Sequence, residues 1–127
     1  MVKRRTCVFI SGKGSNLKNL IYNSRVSNFP INISLIICNN KKAYGIKYAQ
    51  KYKVPYILVN STTKNYENKI LLNLKKYKIS FICLAGYMKI ISNRLIKNYR
   101  NKIINIHPSL LPKFKGLNTF CRMFRWL

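Results

Sequence analysis

The sequence predicts an α/β fold: an open, doubly wound, mostly parallel sheet of the Rossmann-like kind, with helices on both faces. Short apolar runs alternate along the chain with segments whose apolar residues recur at helical spacing. Each run is continuously apolar, which is typical of parallel strands that are buried on both faces. The chain has 127 residues, 48% of them hydrophobic, so it is long enough for one domain with a substantial core. We therefore expect a single domain over residues 1–127.

The first half of the chain is expected to hold three strands and two helices in alternation. The three strands are expected at residues 7–10, 31–38 and 56–59. A loop rich in Gly, Ser and Asn follows the first strand, and Ser15 is a suitable N-cap for the helix after it. That helix carries Leu17, Leu20 and Ile21 on one face. The second helix is expected at residues 43–52.

The second half continues the alternation. The expected elements are a helix at 65–77, a strand at 81–84, a helix at 93–99 and a strand at 103–106. Ser92 is a suitable cap for the last helix. The helix side chains expected to face the core are Ile70, Leu71, Leu74, Leu95 and Ile96. Since every helix joins two strands, parallel pairing follows.

The charge of the chain is strongly unbalanced. There are 25 basic residues against a single acid, Glu67, and the net charge is +24. Such a balance can indicate nucleic-acid binding, but the basic residues are scattered and mixed with Asn, Ile and Tyr. The densest run, at residues 3–5, is only three long. We attribute the bias mainly to genome composition, and expect the positive surface to favour small anionic substrates.

The cysteines and the lengths of the apolar runs indicate the cellular compartment in which the protein is expected. Cys7, Cys38, Cys83 and Cys121 are far apart, without a CxxC pair and with one histidine in the chain. Neither a zinc site nor a disulfide framework is therefore expected, and unpaired cysteines in apolar strands suit a reducing cytoplasm. No apolar run approaches the length of a membrane span or of a signal-peptide core. We expect a cytoplasmic protein without a bound metal.

Two loops that follow predicted strands are candidates for ligand binding. Residues 11–16 read Ser-Gly-Lys-Gly-Ser-Asn, and free N–H groups at the start of the next helix would favour a phosphate there. The pattern matches neither GxGxxG nor the P-loop, and an ordinary strand-to-helix turn is the alternative. Residues 85–91 read Ala-Gly-Tyr-Met-Lys-Ile-Ile, and Gly86 permits a turn that brings main-chain groups against a flat ligand. The alternative is an ordinary loop with Met88 in the core.

The end of the last predicted strand carries two polar side chains. Asn105 and His107 are two residues apart, so in a strand they point the same way. An amide can stabilise an oxyanion and an imidazole can transfer a proton near neutral pH. A capped strand end with an exposed histidine is the alternative. All three segments follow carboxyl ends of strands, where open parallel sheets bind ligands, so we expect one shared crevice.

With these three segments in this order, the chain resembles the phosphoribosylglycinamide formyltransferases, a family of folate-dependent enzymes of purine synthesis. The resemblance runs from about residue 6 to residue 119. It is carried by Ile-Ser-Gly-Lys-Gly-Ser-Asn-Leu17, Leu-Ala-Gly-Tyr-Met-Lys-Ile-Ile91 and Asn-Ile-His-Pro-Ser-Leu-Leu-Pro-Lys-Phe-Lys-Gly116. The last motif is shared with formyltransferases that act on methionyl-tRNA, whereas the first points to the glycinamide ribonucleotide branch.

The resemblance implies transfer of a formyl group from 10-formyltetrahydrofolate to the amine of 5'-phosphoribosylglycinamide, without a metal. The residues implied to bind the ribonucleotide phosphate are Gly14, Ser15 and Asn16. The residues implied to bind the folate are Lys64, Met88, Lys89, Ile90, Ile91 and Asn105. Lys64 would substitute for a basic residue that aligns with Thr63. Asn105 would also hold the oxyanion, and His107 would stabilise charge and transfer the proton.

The chain departs from the family in its last part. The family's catalytic aspartate lies in a loop beyond the His-Pro motif, and this chain contains no aspartate. Residues 120–127 do not resemble the family's continuation, so we expect an aberrant tail that arises from a frameshift, an early stop or a fragmentary gene model. The sheet is expected to lack the family's C-terminal strands. We therefore expect binding elements with little or no transfer by this polypeptide alone.

Two other functions remain open on the sequence. One is another 10-formyltetrahydrofolate enzyme, such as a hydrolase or a methionyl-tRNA formyltransferase, and the acceptor that supports binding would separate these. The glycine-rich first motif disfavours both. The other is a basic nucleic-acid-binding module, which salt-dependent DNA binding in preference to folate binding would indicate.

Overall fold

A computed structural model describes residues 2–106, which form a five-stranded sheet in the order β3-β2-β1-β4-β5. All four neighbouring pairs are parallel. The strands are β1 (Arg4–Ile10), β2 (Ile31–Cys38), β3 (Tyr56–Leu58), β4 (Phe81–Ala85) and β5 (Ile103–Ile106). The helices are α1 (Ser15–Ser24), α2 (Gly45–Lys51), α3 (Tyr66–Lys76) and α4 (Asn93–Asn98). The predicted class and order of elements are confirmed, while His107 and the tail at 120–127 lie outside the described residues.

The sheet is covered on both faces, as doubly wound folds require. Side chains alternate along β1, so Val8 and Ile10 pack against α1 and α2 while Cys7 and Phe9 pack against α3 and α4. The buried helix residues are Leu17, Leu20, Ile21 and Ala49 on the first face and Ile70, Leu74 and Leu95 on the second. None of the helices in the described part of the chain combines the length and apolar character needed to cross a bilayer.

Two helix predictions are wrong and one is confirmed. The N-cap of α1 is Gly14 rather than Ser15, because Gly14 has φ 77° and its carbonyl already accepts the first helical bond from Lys18 N at 2.8 Å. Ile96 does not face the core and is 44% exposed, since only Leu95 of this short helix points inward. Ser92 caps α4 as predicted, and its Oγ accepts from Leu95 N at 3.1 Å.

The described cysteines behave as small apolar residues. Cys7, Cys38 and Cys83 are free and buried. Burial raises the pKa of the Cys7 and Cys83 thiols, so both stay protonated and uncharged at neutral pH. The prediction of unpaired structural cysteines is confirmed for these three.

Several basic side chains bind helix ends at the amino-terminal side of the sheet. Lys3 Nζ donates to the carbonyl of Val26 just beyond α1, at 2.7 Å. Arg5 Nε donates to the carbonyl of Tyr77, the C-cap of α3, at 2.8 Å. Arg25 donates to the carbonyl at the C-cap of α2. Because a helix C-terminus carries partial negative charge, these contacts partly replace the salt bridges that a chain with one acid lacks.

Candidate functional site

The strand order places a crevice between β1 and β4. The chain runs outward from β1 through β2 to β3, and then returns to the other side of β1 for β4 and β5. In open parallel sheets, such a reversal leaves a crevice outside the carboxyl ends of the two strands, and ligands bind there. The glycine loop (residues 12–16) follows β1, and the Met88 loop (residues 87–91) follows β4. Two of the three predicted segments therefore meet at this crevice.

The glycine loop and the start of α1 form an open cavity of about 170 Å³. Its lining residues are Gly12, Lys13, Gly14, Ser15, Asn16, Ala85 and Gly86. The three residues predicted to bind phosphate thus lie together in one cavity. The first N–H groups of a helix lack helical partners, so at the start of α1 they can bind an anion. Lys13, which the sequence interpretation did not assign, adds a cation beside them.

The glycine loop contacts the start of α2. Gly45 N donates to Gly12 O at 3.1 Å. A Cβ at Gly14 would lie 2.6 Å from Gly45 Cα, and a Cβ at Gly45 would lie 2.5 Å from Ile10 Cδ1. Gly14 therefore approaches the main chain at the start of α2 at a distance that only glycine allows. Gly45 was missed in the sequence, although a glycine in the first turn of a predicted helix is unfavourable enough to be a signal.

Ser11 joins three strand ends beside this cavity. Its side chain is only 6% exposed. Ser11 Oγ donates to Asn39 Oδ1 at 2.6 Å and accepts from Met88 N at 2.8 Å. The residue that directly follows β1 is thus bonded to the loop after β2 and to the loop after β4. No role for Ser11 is predicted from the sequence, because its hydrogen-bond partners are 28 and 77 positions away along the chain.

The Met88 loop presents apolar side chains to solvent. Met88 is 81% exposed and Ile90 is 92% exposed, so the alternative interpretation of Met88 as a core residue is wrong. Lys89 is also exposed, and Ile91 is half-buried. Exposed large apolar side chains at a crevice are typical of a surface that a ligand covers. Lys64 is exposed in the turn before α3 and does not line the cavity of the glycine loop.

The two ends of the Met88 loop are fixed to the sheet and to α3. The ring of Tyr87 packs edge-on against Phe9, with 5.2 Å between centroids. Burial raises the pKa of Tyr87 to about 12, so its phenol is uncharged at neutral pH. Just after the loop, Ser92 Oγ donates to Glu67 Oε1 at 2.7 Å. The single acid of the chain therefore joins the start of α3 to the cap of α4.

Asn105 lies one strand further along the same edge. Its register partner on β4 is Leu84, and its side chain is exposed. Ile103 packs into the layer of α3 and α4, so the strand alternation places Asn105 on that same face, which is also the face that Tyr87 packs against. The structure thus brings Asn105 to the side of the Met88 loop, and its predicted partner His107 lies outside the described residues.

Comparison with known protein families shows which family the chain belongs to. The family model for formyl transferase matches residues 4–125. The chain belongs to the formyl transferase family. The match includes the glycine loop, the Met88 loop and β5, so the crevice is built from segments that belong to the family.

Individual members of the family are similar to most of this chain. Phosphoribosylglycinamide formyltransferase of Haemophilus influenzae is 36% identical over 125 residues, which are 94% of this chain and 58% of the relative. Trifunctional purine biosynthetic protein adenosine-3 of Homo sapiens is 38% identical over 122 residues, which are 91% of this chain and 12% of the relative. The crystal structure of phosphoribosylglycinamide formyltransferase from Brucella melitensis superimposes with a TM-score of 0.81 at 36% identity, covering 98% of this chain and 67% of that one. The chain therefore spans less than two thirds of the curated relatives named here.

Proposed function

We propose that this chain binds 5'-phosphoribosylglycinamide and 10-formyltetrahydrofolate for formyl transfer to the glycinamide amine, a step of purine biosynthesis. The observation that supports it most is the meeting of the glycine loop and the Met88 loop at one crevice, in a chain whose relatives are named for this reaction. We place the reaction in the cytoplasm, because free buried cysteines suit a reducing compartment. Residues 1–127 would act as one domain on small molecules.

The phosphate of the ribonucleotide would bind to main-chain N–H groups of Gly14, Ser15 and Asn16. These residues line the cavity at the start of α1, where the helix dipole favours negative charge. Lys13 lines the same cavity and would add a charge-assisted contact. The chain's positive charge would raise the local concentration of such an anion.

The folate would lie along the Met88 loop, on the face that carries Asn105. Met88 and Ile90 are the exposed apolar side chains available to cover its ring system, and Lys64 would bind its acidic part. Lys89 and Ile91 would complete this site.

The reaction is an acyl transfer in two steps. The glycinamide nitrogen attacks the formyl carbon and forms a tetrahedral intermediate, whose oxyanion the Asn105 amide would stabilise. His107 would take the proton from the attacking nitrogen and return one to N10 of the folate as the carbon–N10 bond breaks. Asn105 lies in β5 beside the crevice, and the charge that develops would be stabilised by its amide without a metal.

The alternatives are less well supported. The curated relatives of Haemophilus influenzae, Homo sapiens and Bacillus subtilis are named for glycinamide formylation or for purine biosynthesis rather than for tRNA or for hydrolysis. A nucleic-acid function would require a continuous basic face, whereas Lys3, Arg5 and Arg25 are engaged with helix ends.

A phosphate-dependent binding experiment tests the proposal. Isothermal titration should show that the chain binds 5'-phosphoribosylglycinamide and not its dephosphorylated nucleoside. The side-chain amide of Asn16, which also lines the cavity, would donate a further hydrogen bond to the phosphate, so replacing Asn16 by alanine should weaken nucleotide binding about tenfold, in line with loss of one hydrogen bond to a charged group. Asn19→Ala, an exposed change one turn along α1, is the matched control and should bind like the parent chain. Equal binding of nucleotide and nucleoside would refute the proposed site.

A further inference from the structure

Ser11 stands between the two proposed ligand subsites without belonging to either. Its backbone leads directly into the glycine loop, and its side chain holds the main chain of the Met88 loop. We propose that Ser11 is a positioning residue that couples the two loops, so that the ribonucleotide in one subsite tightens the folate in the other. This inference rests on the proposed function for the identity of the two ligands.

The direction of the Ser11 hydroxyl is set by Asn39. A serine hydroxyl has one hydrogen and two lone pairs, so it can donate only once. Its hydrogen goes to Asn39 Oδ1 at 2.6 Å, and its oxygen is then left to accept from Met88 N at 2.8 Å. With 6% of Ser11 exposed, water is a poor competitor for either bond. Asn39 therefore acts through Ser11 on the position of Met88.

The loop after β2 also holds the backbone around Ser11. Asn40 Nδ2 donates to Ser11 O at 3.3 Å, and Asn39 N donates to Ile10 O at 3.4 Å. One residue later, Gly12 O accepts from Gly45 N. Because Ser11 is covalently joined to Gly12, a shift of the glycine loop on phosphate binding would act on Ser11 against these bonds and be transmitted through its side chain to Met88.

The Met88 loop is the part of this connection that is expected to change position. Its side chains at Met88 and Ile90 are largely exposed, so packing holds the middle of the loop only weakly. The described anchors of the loop region are the Tyr87 ring on Phe9, the bond from Met88 N, and the Ser92–Glu67 bond after it. Of these, the Met88 bond is the one that leads to the glycine loop. Coupling between two ligands is reciprocal, so each should raise the affinity of the other by the same factor.

The test compares Ser11→Ala with a matched control. Ser24 is also buried, at 4% exposure, and its Oγ donates to Ile21 O at 2.8 Å at the far end of α1. Each variant is titrated with 10-formyl-5,8-dideazafolate, a stable folate analogue, with and without saturating 5'-phosphoribosylglycinamide. The ribonucleotide should tighten the analogue in the parent chain and in Ser24→Ala. In Ser11→Ala, that coupling factor should fall by about threefold to tenfold, as expected for one lost hydrogen bond.

Two Asn39 variants decide the result if Ser11→Ala fails to fold by circular dichroism. Asn39→Leu removes the acceptor and should lower the coupling, whereas Asn39→Asp keeps an acceptor oxygen and should retain it. Coupling that is unchanged in Ser11→Ala, or equal in the two Asn39 variants, overturns the inference and leaves the proposed function intact. A parent chain that binds both ligands without coupling also overturns it. A parent chain that binds neither ligand overturns the proposed function itself.

Discussion

Replacing Gly14 by alanine is expected to destabilise the fold by about 2–4 kcal/mol and to abolish binding of the ribonucleotide. Gly14 has φ 77°, and its added Cβ would lie 2.6 Å from Gly45 Cα. Main-chain atoms cannot rotate away as a flexible side chain can, so α1 and α2 would have to separate. That separation would open the glycine loop, whose N–H groups form the proposed phosphate site.

Alanine substitutions at two other glycines separate the effect of backbone strain on stability from the effect of the contact with Gly45. Gly86 has φ 73° with no atom within 4 Å of an added Cβ, so Gly86→Ala should cost only the backbone strain, about 1 kcal/mol. A Cβ at Gly12 also meets no atom within 4 Å, and φ is not positive there, so Gly12→Ala should change stability by less than about 0.5 kcal/mol. Urea denaturation of the three variants measures the free energy of unfolding of each. Equal losses for Gly14→Ala and Gly86→Ala would show that the contact with Gly45 is unimportant.

Formyl transfer by the 127-residue polypeptide is expected to be about 10³- to 10⁴-fold slower than transfer by the Haemophilus influenzae relative. The resemblance implies an aspartate that orients the imidazole, and this chain contains none. Its single acid, Glu67, accepts a hydrogen bond from Ser92 at the cap of α4. The proposed His107 would therefore act without a carboxylate that holds its tautomer and supports its charged form.

The absorbance change on conversion of 10-formyltetrahydrofolate measures this rate. If the imidazole is unsupported, His107→Ala should lower the residual rate by less than tenfold, because positioning and the Asn105 amide would supply most of it. Asn105→Ala should have the larger effect, about 10²-fold. A parent rate equal to that of the relative would disprove the need for an aspartate in this polypeptide.

The fold was predictable because its signals are local. Continuous apolar runs such as residues 31–38 and 103–106 predict buried parallel strands, and both strands have these bounds in the structure. The residues around Ser92 are enough to predict that it caps α4, and the structure confirms this. Ile96 was misassigned because its helix has only six residues, too few for periodicity to fix the buried face.

The connections within the site were not predictable, because they join residues far apart in the chain. The bond from Met88 N to Ser11 Oγ spans 77 positions, and the approach of Gly14 to Gly45 depends on how α1 and α2 cross. Neither leaves a periodic pattern. Both become visible only when the strand order puts β1 between β2 and β4.

The partners of the basic side chains are also not predictable from composition. The net charge of +24 predicts repulsion with almost no salt bridges to offset it. In the structure, Lys3, Arg5 and Arg25 instead donate to carbonyls at or just beyond the ends of three helices. Backbone carbonyls are present in any sequence, so acid content alone is a poor measure of the partners that a cation can find.

The central claim is that the crevice between β1 and β4 binds the ribonucleotide beside the folate. The most direct test is an amide chemical-shift map of the ¹⁵N-labelled chain, titrated with 5'-phosphoribosylglycinamide and then with 10-formyl-5,8-dideazafolate. We expect the first ligand to shift the amides of residues 12–16, and the second to shift those of residues 87–91 and Asn105. Shifts confined to the groove between α3 and α4, around Lys75, Lys78 and Lys102, would contradict the account.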